Sequence, residues 1–278
     1  MPYVIVERSD GYENVRDVLK EVFETFEVEE EVLLKPNFLK FDNPENGCIT
    51  HPDFLKAILE VLNREGVDVK IVEGGFSKDS ADLCFERFGL KRVAYCINLN
   101  KDEFIEVEVK GKKLRRVEIA KSVFNKEFIS VPKMKVHHLT KVTLGIKNNI
   151  GFLKKPAIYM HACIDEKLAD LLKVFWPKIT IVDGIIGGNY SEISTKPLKH
   201  GVIVAGDNII AVDYVASQLM GFKDVGHIRV ALERYKISED EIETSRDVEK
   251  LKKQYTLSFF SQMLGTLERT VFKIRNLV

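Results

Sequence analysis

The sequence lacks the cysteine and hydrophobic patterns that mark several classes of protein. The 278-residue chain has four cysteines, Cys48, Cys84, Cys96 and Cys163, and no two of them form a Cys-x-x-Cys pair. This spacing argues against an iron–sulfur cluster or a zinc ribbon, so we expect no cluster in this chain. No run of about 18 apolar residues occurs, and we therefore predict no transmembrane segment.

Signals for targeting, nucleotide binding and nucleic-acid binding are also missing. The apolar run that begins at Tyr3 is too short for a signal peptide, and we predict a cytoplasmic protein. The glycine spacing of a dinucleotide site, the phosphate-binding Gly-x-x-x-x-Gly-Lys motif and the serine-hydrolase elbow are all absent. The 42 basic and 42 acidic residues balance, which argues against a nucleic-acid partner.

One stretch of the chain, residues 131–164, contains no acidic residue. Its basic residues are six lysines and three histidines, namely Lys133, Lys135, Lys141, Lys147, Lys154, Lys155, His137, His138 and His161. Concentrated cations need either solvent or an anionic partner. Because Gly, Pro and Asn interrupt the run, it is more typical of a site than of a solvated helix face.

Short β-rich runs alternate with helical patterns, which predicts an α/β fold with a mostly parallel sheet flanked by helices. Residues 104–109 and 114–119 flank Lys-Gly-Lys-Lys and predict a β-hairpin insertion. We expect an α/β domain over residues 1–235, as one unit or as two lobes with 101–120 as a hairpin extension. Residues 236–278 form a predicted helical tail that packs on this domain or on a partner subunit.

The predicted tail has an amphipathic pattern. From about Ser258, apolar residues recur at helical spacing, namely Phe260, Leu264, Leu267, Val271, Ile274 and Val278. We expect this stripe to pack on the protein or to form a homo-oligomer contact. Attachment to a membrane surface is the alternative.

Polar residues follow most of the predicted strands. They are Lys35 and Asn37 after residues 31–34, Glu73 after 67–72, Asp183 after 179–182 and Asp207 after 202–205. Open α/β sheets bind ligands at the carboxyl ends of their parallel strands. We therefore expect these side chains to meet at one edge, and Asp207 to cap the helix that follows it.

Three of the basic residues fall on one predicted strand. In an extended segment 128–137, Lys133, Lys135 and His137 share a face because alternate side chains point the same way. A helical stripe of apolar residues follows over 139–150, so we predict a helix there.

Several motifs of the chain occur together in one known family. In chain order they are Leu-Lys35-Pro-Asn37-Phe, Thr50-His51-Pro, Glu73-Gly, Val-Pro-Lys133-Met-Lys135-Val-His137, Gly-Ile-Lys147-Asn148-Asn-Ile-Gly151, Asp183-Gly and Gly-Asp207. With them, the chain as far as about Gly221 resembles the family numbered 362 of domains of unknown function, which occurs in bacteria and archaea. Members are often joined to a ferredoxin-like domain with two [4Fe-4S] clusters. This chain lacks those cysteine runs, so a redox role would need a separate iron–sulfur protein as partner.

The resemblance supports the positions of the site residues but implies no reaction. The residue types themselves indicate an enzyme that acts on a small anionic substrate bearing carboxylate or phosphate. The predicted catalytic residues are Lys35, Glu73, His137, Lys147 and Asp183. The predicted substrate-binding residues are Asn37, His51, Lys133, Lys135, Asn148 and Asp207. Crowded lysines would bind charge and lower one another's pKa, which would prepare one of them as a base or nucleophile.

Two alternatives are open from the sequence. A metal-dependent enzyme would use His51, Glu73, His137 and Asp183, which offer suitable donor atoms but have no ligand-spacing motif, so no metal site is assigned. A non-catalytic redox accessory or scaffold would instead dock an acidic protein on the lysines.

Overall fold

The computed structural model of the protein describes residues 1–275, with side chains as far as Phe272. The strands are β1 (Tyr3–Arg8), β2 (Glu31–Pro36), β3 (Asp68–Glu73), β4 (Tyr95–Asn98), β5 (Phe104–Glu108), β6 (Arg116–Ala120), β7 (Phe128–Val131), β8 (Lys133–His137), β9 (Lys141–Val142), β10 (Ile179–Asn189), β11 (Lys196–Gly206) and β12 (Glu243–Thr244). The α-helices are α1 (Arg16–Thr25), α2 (Pro52–Arg64), α3 (Ser80–Arg87), α4 (Gly145–Asn148), α5 (Ile164–Leu171), α6 (Ile209–Leu219), α7 (Gly226–Tyr235), α8 (Val248–Leu251) and α9 (Phe259–Arg275).

Most strands belong to one sheet. Its main row has the order β12-β1-β11-β10-β7-β2-β3-β4, and β8 pairs with both β10 and β9. In this row β11 alone runs against its neighbours, β1 and β10, and the remaining pairs are parallel. β5 and β6 form a separate antiparallel hairpin. The predicted α/β fold with a mostly parallel sheet is therefore confirmed.

Alternating apolar residues make both faces of the sheet hydrophobic. In β1, Val4 and Val6 belong to one buried cluster and Ile5 to another, and in β2 the neighbours Leu33 and Leu34 divide in the same way. The first cluster contains side chains of α5, α6 and α7, and the second contains side chains of α1, α2 and α3. The sheet is thus covered by helices on both faces, as expected for parallel strands.

The direction of the strands decides which predicted site residues can meet. Parallel pairing places Asp183 of β10 opposite Lys133 of β8, and brings Lys35 of β2 to the same edge of the sheet. β11 is antiparallel, so Asp207, which follows it, lies at the opposite edge. There it is exposed, close to the residues that precede β10. Asp207 therefore does not join the other polar strand ends.

Residues 139–150 do not form the continuous helix that their periodicity predicted. A short strand, β9, comes first, and α4 begins only at Gly145. Residues 141–142 pair with β8 instead, and Asp213 of α6 caps the later start by accepting hydrogen bonds from the amides of Gly145 and Ile146, both at 2.8 Å. Burial raises the pKa of Asp213 to about 7, and the two amides oppose this shift.

Two predicted boundaries also differ from the structure. The N-cap of α6 is Asn208, whose Oδ1 accepts from the amides of Ile210 and Ala211, and the predicted cap Asp207 is not used. The predicted strand over residues 128–136 is divided at Pro132, which has no amide hydrogen for the sheet.

The chain after residue 236 is not only helical. β12 pairs with β1 in the main sheet, so Glu243 lies opposite Tyr3. The last helix, α9, approaches the turn after β8 at Gly265, where a Cβ atom would overlap the carbonyl oxygen of His138. A glycine is thus needed where helix and turn touch.

The apolar stripe predicted for the tail lies largely on the outside of α9. Phe260, Leu264, Leu267 and Val271 are all exposed. The side chain of Ile274 and all of Val278, which the pattern included, lie outside the described residues. Over residues 1–275 no helix combines the length and the hydrophobicity that crossing a membrane requires.

We expect Gly265→Leu to push α9 away from the turn, because its new side chain would overlap the backbone of His138. The free energy of unfolding should fall by about 1–3 kcal/mol, and limited proteolysis should cut α9 faster. Thr266→Leu places the same side chain at the next, exposed position and is the matched control. Equal proteolysis of the two variants would contradict the close contact.

Candidate functional site

A buried ion pair joins Lys35 and Glu73 at the carboxyl edge of the sheet. The Lys35 ammonium lies 2.9 Å from Glu73 Oε2 and 2.8 Å from the carbonyl oxygen of Pro36. Glu73 also accepts hydrogen bonds from the amides of Phe38 and Gly74. Burial lowers the pKa of Lys35, and Glu73 opposes that shift. Both oxygens of Glu73 are engaged, so this carboxylate joins the segment 35–38 to its own turn after β3.

Two asparagines from distant motifs meet beside this pair. Asn37 Nδ2 donates to Asn148 Oδ1 at 3.0 Å, and the same oxygen lies 3.4 Å from Lys35 Nζ. Gly151 passes so close that a Cβ atom there would lie 2.6 Å from Lys35 Nζ. The Lys-Pro-Asn and Lys-Asn-Asn-Ile-Gly motifs are therefore two parts of one cluster.

A second buried ion pair joins Lys133 and Asp183. Lys133 Nζ lies 2.8 Å from Asp183 Oδ2, and the Tyr12 hydroxyl donates to Asp183 Oδ1 at 3.1 Å. The amide of His51 donates to the same carboxylate at 2.9 Å. Burial lowers the pKa of Lys133, whereas burial and then Asp183 raise the pKa of Tyr12. This pair ties the start of α2 to the centre of the sheet.

The ring of His51 has a structural role next to this pair. Its Nδ1 accepts from the amide of Asp53 at 3.2 Å and so caps α2, and its Nε2 lies 3.1 Å from Glu45 Oε1. The ring stacks on Tyr12 with the centroids 3.8 Å apart. Both ring nitrogens are thus occupied within the protein.

Lys135 is buried without a carboxylate in hydrogen-bonding range among the described residues. Its ammonium donates to the carbonyl oxygens of Cys48, at 2.8 Å, and Glu192, at 3.4 Å. Burial lowers its pKa, the charge of Glu192 opposes this shift, and repulsion from Lys133 adds to it. Among the described residues this ammonium therefore donates to carbonyl oxygens and to no carboxylate.

Lys147 is partly exposed, and its ammonium makes no hydrogen bond or ion pair within the described part of the chain. Burial lowers the pKa of Lys147 to about 7, and repulsion from Lys135 and Lys155 adds to the shift. Within the same residues Lys155 donates only to the carbonyl oxygen of Ile150, at 2.9 Å, and burial lowers its pKa to about 8, a shift that the charge of Glu73 opposes. Among the described residues, Lys135, Lys147 and Lys155 therefore have no carboxylate within hydrogen-bonding distance.

Histidines and glutamates from four segments form a hydrogen-bonded cluster near Lys147. His138 lies between two carboxylates, with Nδ1 2.6 Å from Glu192 Oε1 and Nε2 2.8 Å from Glu268 Oε2. His161 Nδ1 lies 2.5 Å from Glu268 Oε1. Burial would lower the pKa of His138, but its hydrogen bonds with Glu192 and Glu268 raise it overall. Since Glu268 belongs to α9, this cluster fixes the helix to the site.

His137 is the neutral member of the group. Burial holds its pKa well below the usual range, and repulsion from Lys147 adds to the effect. Its Nδ1 accepts from the amide of Leu139 at 3.1 Å, and its ring stacks on His138 with the centroids 4.7 Å apart. A neutral imidazole thus lies beside the uncompensated lysines.

Three of these side chains could also hold a metal ion. Donor atoms of His137, His138 and Glu192 lie within 4.8 Å of one another. The charged neighbours Lys135 and Lys147 disfavour a divalent cation at this point, and His138 already has two carboxylate partners.

The ligand set considered from the sequence is not brought together. Glu73 is paired with Lys35, Asp183 is paired with Lys133, and the ring of His51 caps α2. Of that set, His137 alone belongs to the donor group just described.

Several residues of the site were not singled out from the sequence. They are Tyr12, Lys155, His161, Glu192 and Glu268. His161 and Lys155 lie in the acid-free stretch 131–164, so the local excess of basic residues could have identified them as site candidates. No local pattern marks Tyr12, Glu192 or Glu268, because each reaches the site through tertiary contacts.

Comparison with known proteins agrees with the motifs. Residues 32–218 match the family described as "Domain of unknown function (DUF362)". The chain belongs to this family. The chain is 26% identical over 207 residues to the thylakoid-associated protein sll1697 of Synechocystis sp., and the match covers 68% of this chain. The same match covers 62% of the Synechocystis protein, so the chain spans less than two thirds of the length of that relative. No solved structure matches the chain.

We expect Lys133→Met to lower the free energy of unfolding by about 3–5 kcal/mol, because it leaves the Asp183 carboxylate buried without its cation. Both side chains of this pair are 0% exposed. In the matched control Lys121→Met, the pair with Glu103 is 61% and 76% exposed, and the loss should be below about 1 kcal/mol. Urea unfolding of the three proteins measures the difference, and equal losses would contradict the role given to burial.

Proposed function

We propose that the protein is an enzyme acting on a small anion, bearing carboxylate or phosphate, that binds at Lys135, Lys147 and Lys155. The observation that supports this most directly is the uneven pairing of the lysines. Lys35 and Lys133 each have a buried carboxylate, whereas these three amines have none within hydrogen-bonding range among the described residues. Buried positive charge without a counter-charge costs free energy, and a bound anion would supply the missing charge.

Partial exposure makes Lys147 the point of entry. Lys135 is 2% exposed and contributes its charge from the interior, while Lys147 retains contact with solvent. Asn148, the next residue, is held by Lys35 and Asn37 and so fixes the end of α4 that carries Lys147. The anchored clusters thus position the reactive amine.

The protonation states favour catalysis at this position. With a pKa of about 7, Lys147 exists as both amine and ammonium near neutral pH. It can therefore hold an anion as the cation, or act as a base or nucleophile as the free amine. His137, neutral and adjacent, is the second proton carrier that we assign. Lys35, Glu73, Lys133 and Asp183 act in this proposal as the frame of the site.

We expect inorganic phosphate or malonate to raise the melting temperature at pH 6 relative to sodium chloride of equal ionic strength. The effect should weaken as the pH rises above about 7, because Lys147 then loses the proton that gives it charge. Lys147→Met should reduce the affinity roughly tenfold or more, since a hydrogen bond to a charged group contributes about 1.5–3 kcal/mol.

Lys154→Met is the matched control for this experiment. Lys154 is the neighbour of Lys155 in sequence, but it is exposed and paired with Glu118 at 2.6 Å. This variant should bind the anion as the wild type does. The proposal fails if neither anion stabilises the wild type, or if both variants lose the effect equally.

A metal-dependent reaction is the second candidate, favoured by the donor group His137, His138 and Glu192. It predicts that protein purified without chelators contains about one equivalent of a transition metal per chain. Glu192→Gln should then lose the metal, and the exposed control Glu118→Gln should keep it. Metal-free wild-type protein with anion-dependent stabilisation would leave the lysine site as the better account.

A docking role for an acidic iron–sulfur protein has less support. The ammonium groups of Lys35, Lys133 and Lys135 are buried, so they cannot form the surface patch that such a partner would need. We also infer a cytoplasmic location, since Cys48 and Cys84 are buried thiols of the kind common in reducing compartments. The Synechocystis relative is named a thylakoid-associated protein, which supports a place of action near a membrane.

A further inference from the structure

The helix α9 is amphipathic, but its apolar face points to solvent and its polar face packs on the protein. Large apolar side chains of α9 point to solvent, with Phe259 82%, Phe260 66% and Leu267 60% exposed, and Met263 and Leu264 exposed beside them. A surface helix normally turns such a face to the core. This face is therefore available to something outside the described chain.

The inner face of α9 is held by small and polar groups. Ser261 Oγ donates to the carbonyl oxygen of Tyr190 at 3.1 Å, and Gly265 allows the backbones to touch. Glu268 binds His138 and His161, as described above. These contacts fix the orientation of the helix, so exposure of the apolar side follows from the packing of the polar one.

The sequence of α9 is mainly basic. It contains Arg269, Lys273 and Arg275 and one acid, Glu268, and of these Arg269 is turned inward to the carbonyl oxygen of Leu139 and Glu268 to the histidines. Tyr190, whose carbonyl oxygen receives the start of α9, is exposed, and Lys196 Nζ lies 4.6 Å from the centre of its ring. Aromatic and basic side chains beside an apolar stripe suit the boundary of an anionic bilayer.

The size of the face favours a lipid surface over a second copy of the chain. α9 has 17 residues. At about 1.5 Å per residue and about 10 Å across, one side of it offers roughly 250 Å². A stable dimer buries roughly 800 Å² on each partner. A bilayer needs no matching protein surface and can take up the apolar side chains individually.

We propose that the outer face of α9 docks on the surface of an anionic lipid bilayer. The apolar side chains enter the boundary between headgroups and acyl chains, and the exposed Lys196 beside Tyr190 contacts the headgroups. The helix lies along the surface and does not cross it. This inference is independent of the anion site.

The test is flotation of the full-length protein with vesicles of phosphatidylcholine, alone or mixed with phosphatidylglycerol, at low salt. We expect binding to the mixed vesicles and weaker binding to the neutral ones or at high salt. Phe260→Ser combined with Leu267→Ser should reduce the vesicle partition coefficient at least about tenfold, because two apolar side chains no longer leave water.

The matched control combines Phe76→Ser with Tyr95→Ser. These residues are 75% and 69% exposed and lie outside α9, so vesicle binding should be retained. Equal melting temperatures of both variants and the wild type would show that the fold is intact.

Three results would overturn the proposal. Wild-type protein that fails to float with anionic vesicles would do so, as would an α9 variant that floats like the wild type. A wild type that is dimeric by light scattering, and that becomes monomeric in the α9 variant without binding vesicles, would show that a second copy covers the face.

Discussion

Removal of lysine charge from water at one edge of the sheet is the constraint on which the rest of the site depends. Lys35 and Lys133 come from neighbouring β-segments, and each is buried against a carboxylate on another strand, Glu73 or Asp183. Burying a charge costs least free energy when it has such a partner and further hydrogen bonds. The loops that supply those bonds, including the start of α2, are fixed as a consequence.

The balance of charge in residues 131–164 changes once these pairs are set aside. Lys133 is compensated by Asp183, Lys154 by Glu118 at the surface, and Lys141 lies near Asp224. Of the remaining lysines of the stretch, Lys135 and Lys155 repel Lys147, and this repulsion adds to burial in lowering the pKa of Lys147. The acid-free stretch thus divides into lysines that are paired with carboxylates and lysines that, among the described residues, are not.

The sequence was sufficient for the fold class, because strand and helix periodicity are local features. It assigned Lys35, Asn37 and Asn148 to the site without predicting their mutual contacts, which the structure reveals. It misplaced Asp207, because the direction of β11 depends on pairing with β1 and β10, which no residue near Asp207 encodes.

Contacts between distant elements account for the other differences. The helix predicted over residues 139–150 does not begin until Gly145, because residues 141–142 pair with β8 and Asp213 of α6 caps the later start. The roles of Glu192 and Glu268 could not be predicted from the sequence, since each contacts His138 only after the chain has folded.

One carboxylate connects the position of α9 with the chemistry of the site. Glu268 raises the pKa of His138 through a hydrogen bond, and its charge opposes the downward shift of the pKa of Lys147. If α9 moved away, both effects would be lost, so His138 would give up its proton more readily and more of Lys147 would be the free amine. The inner contacts that hold α9 in place therefore also affect the pKa values of His138 and Lys147.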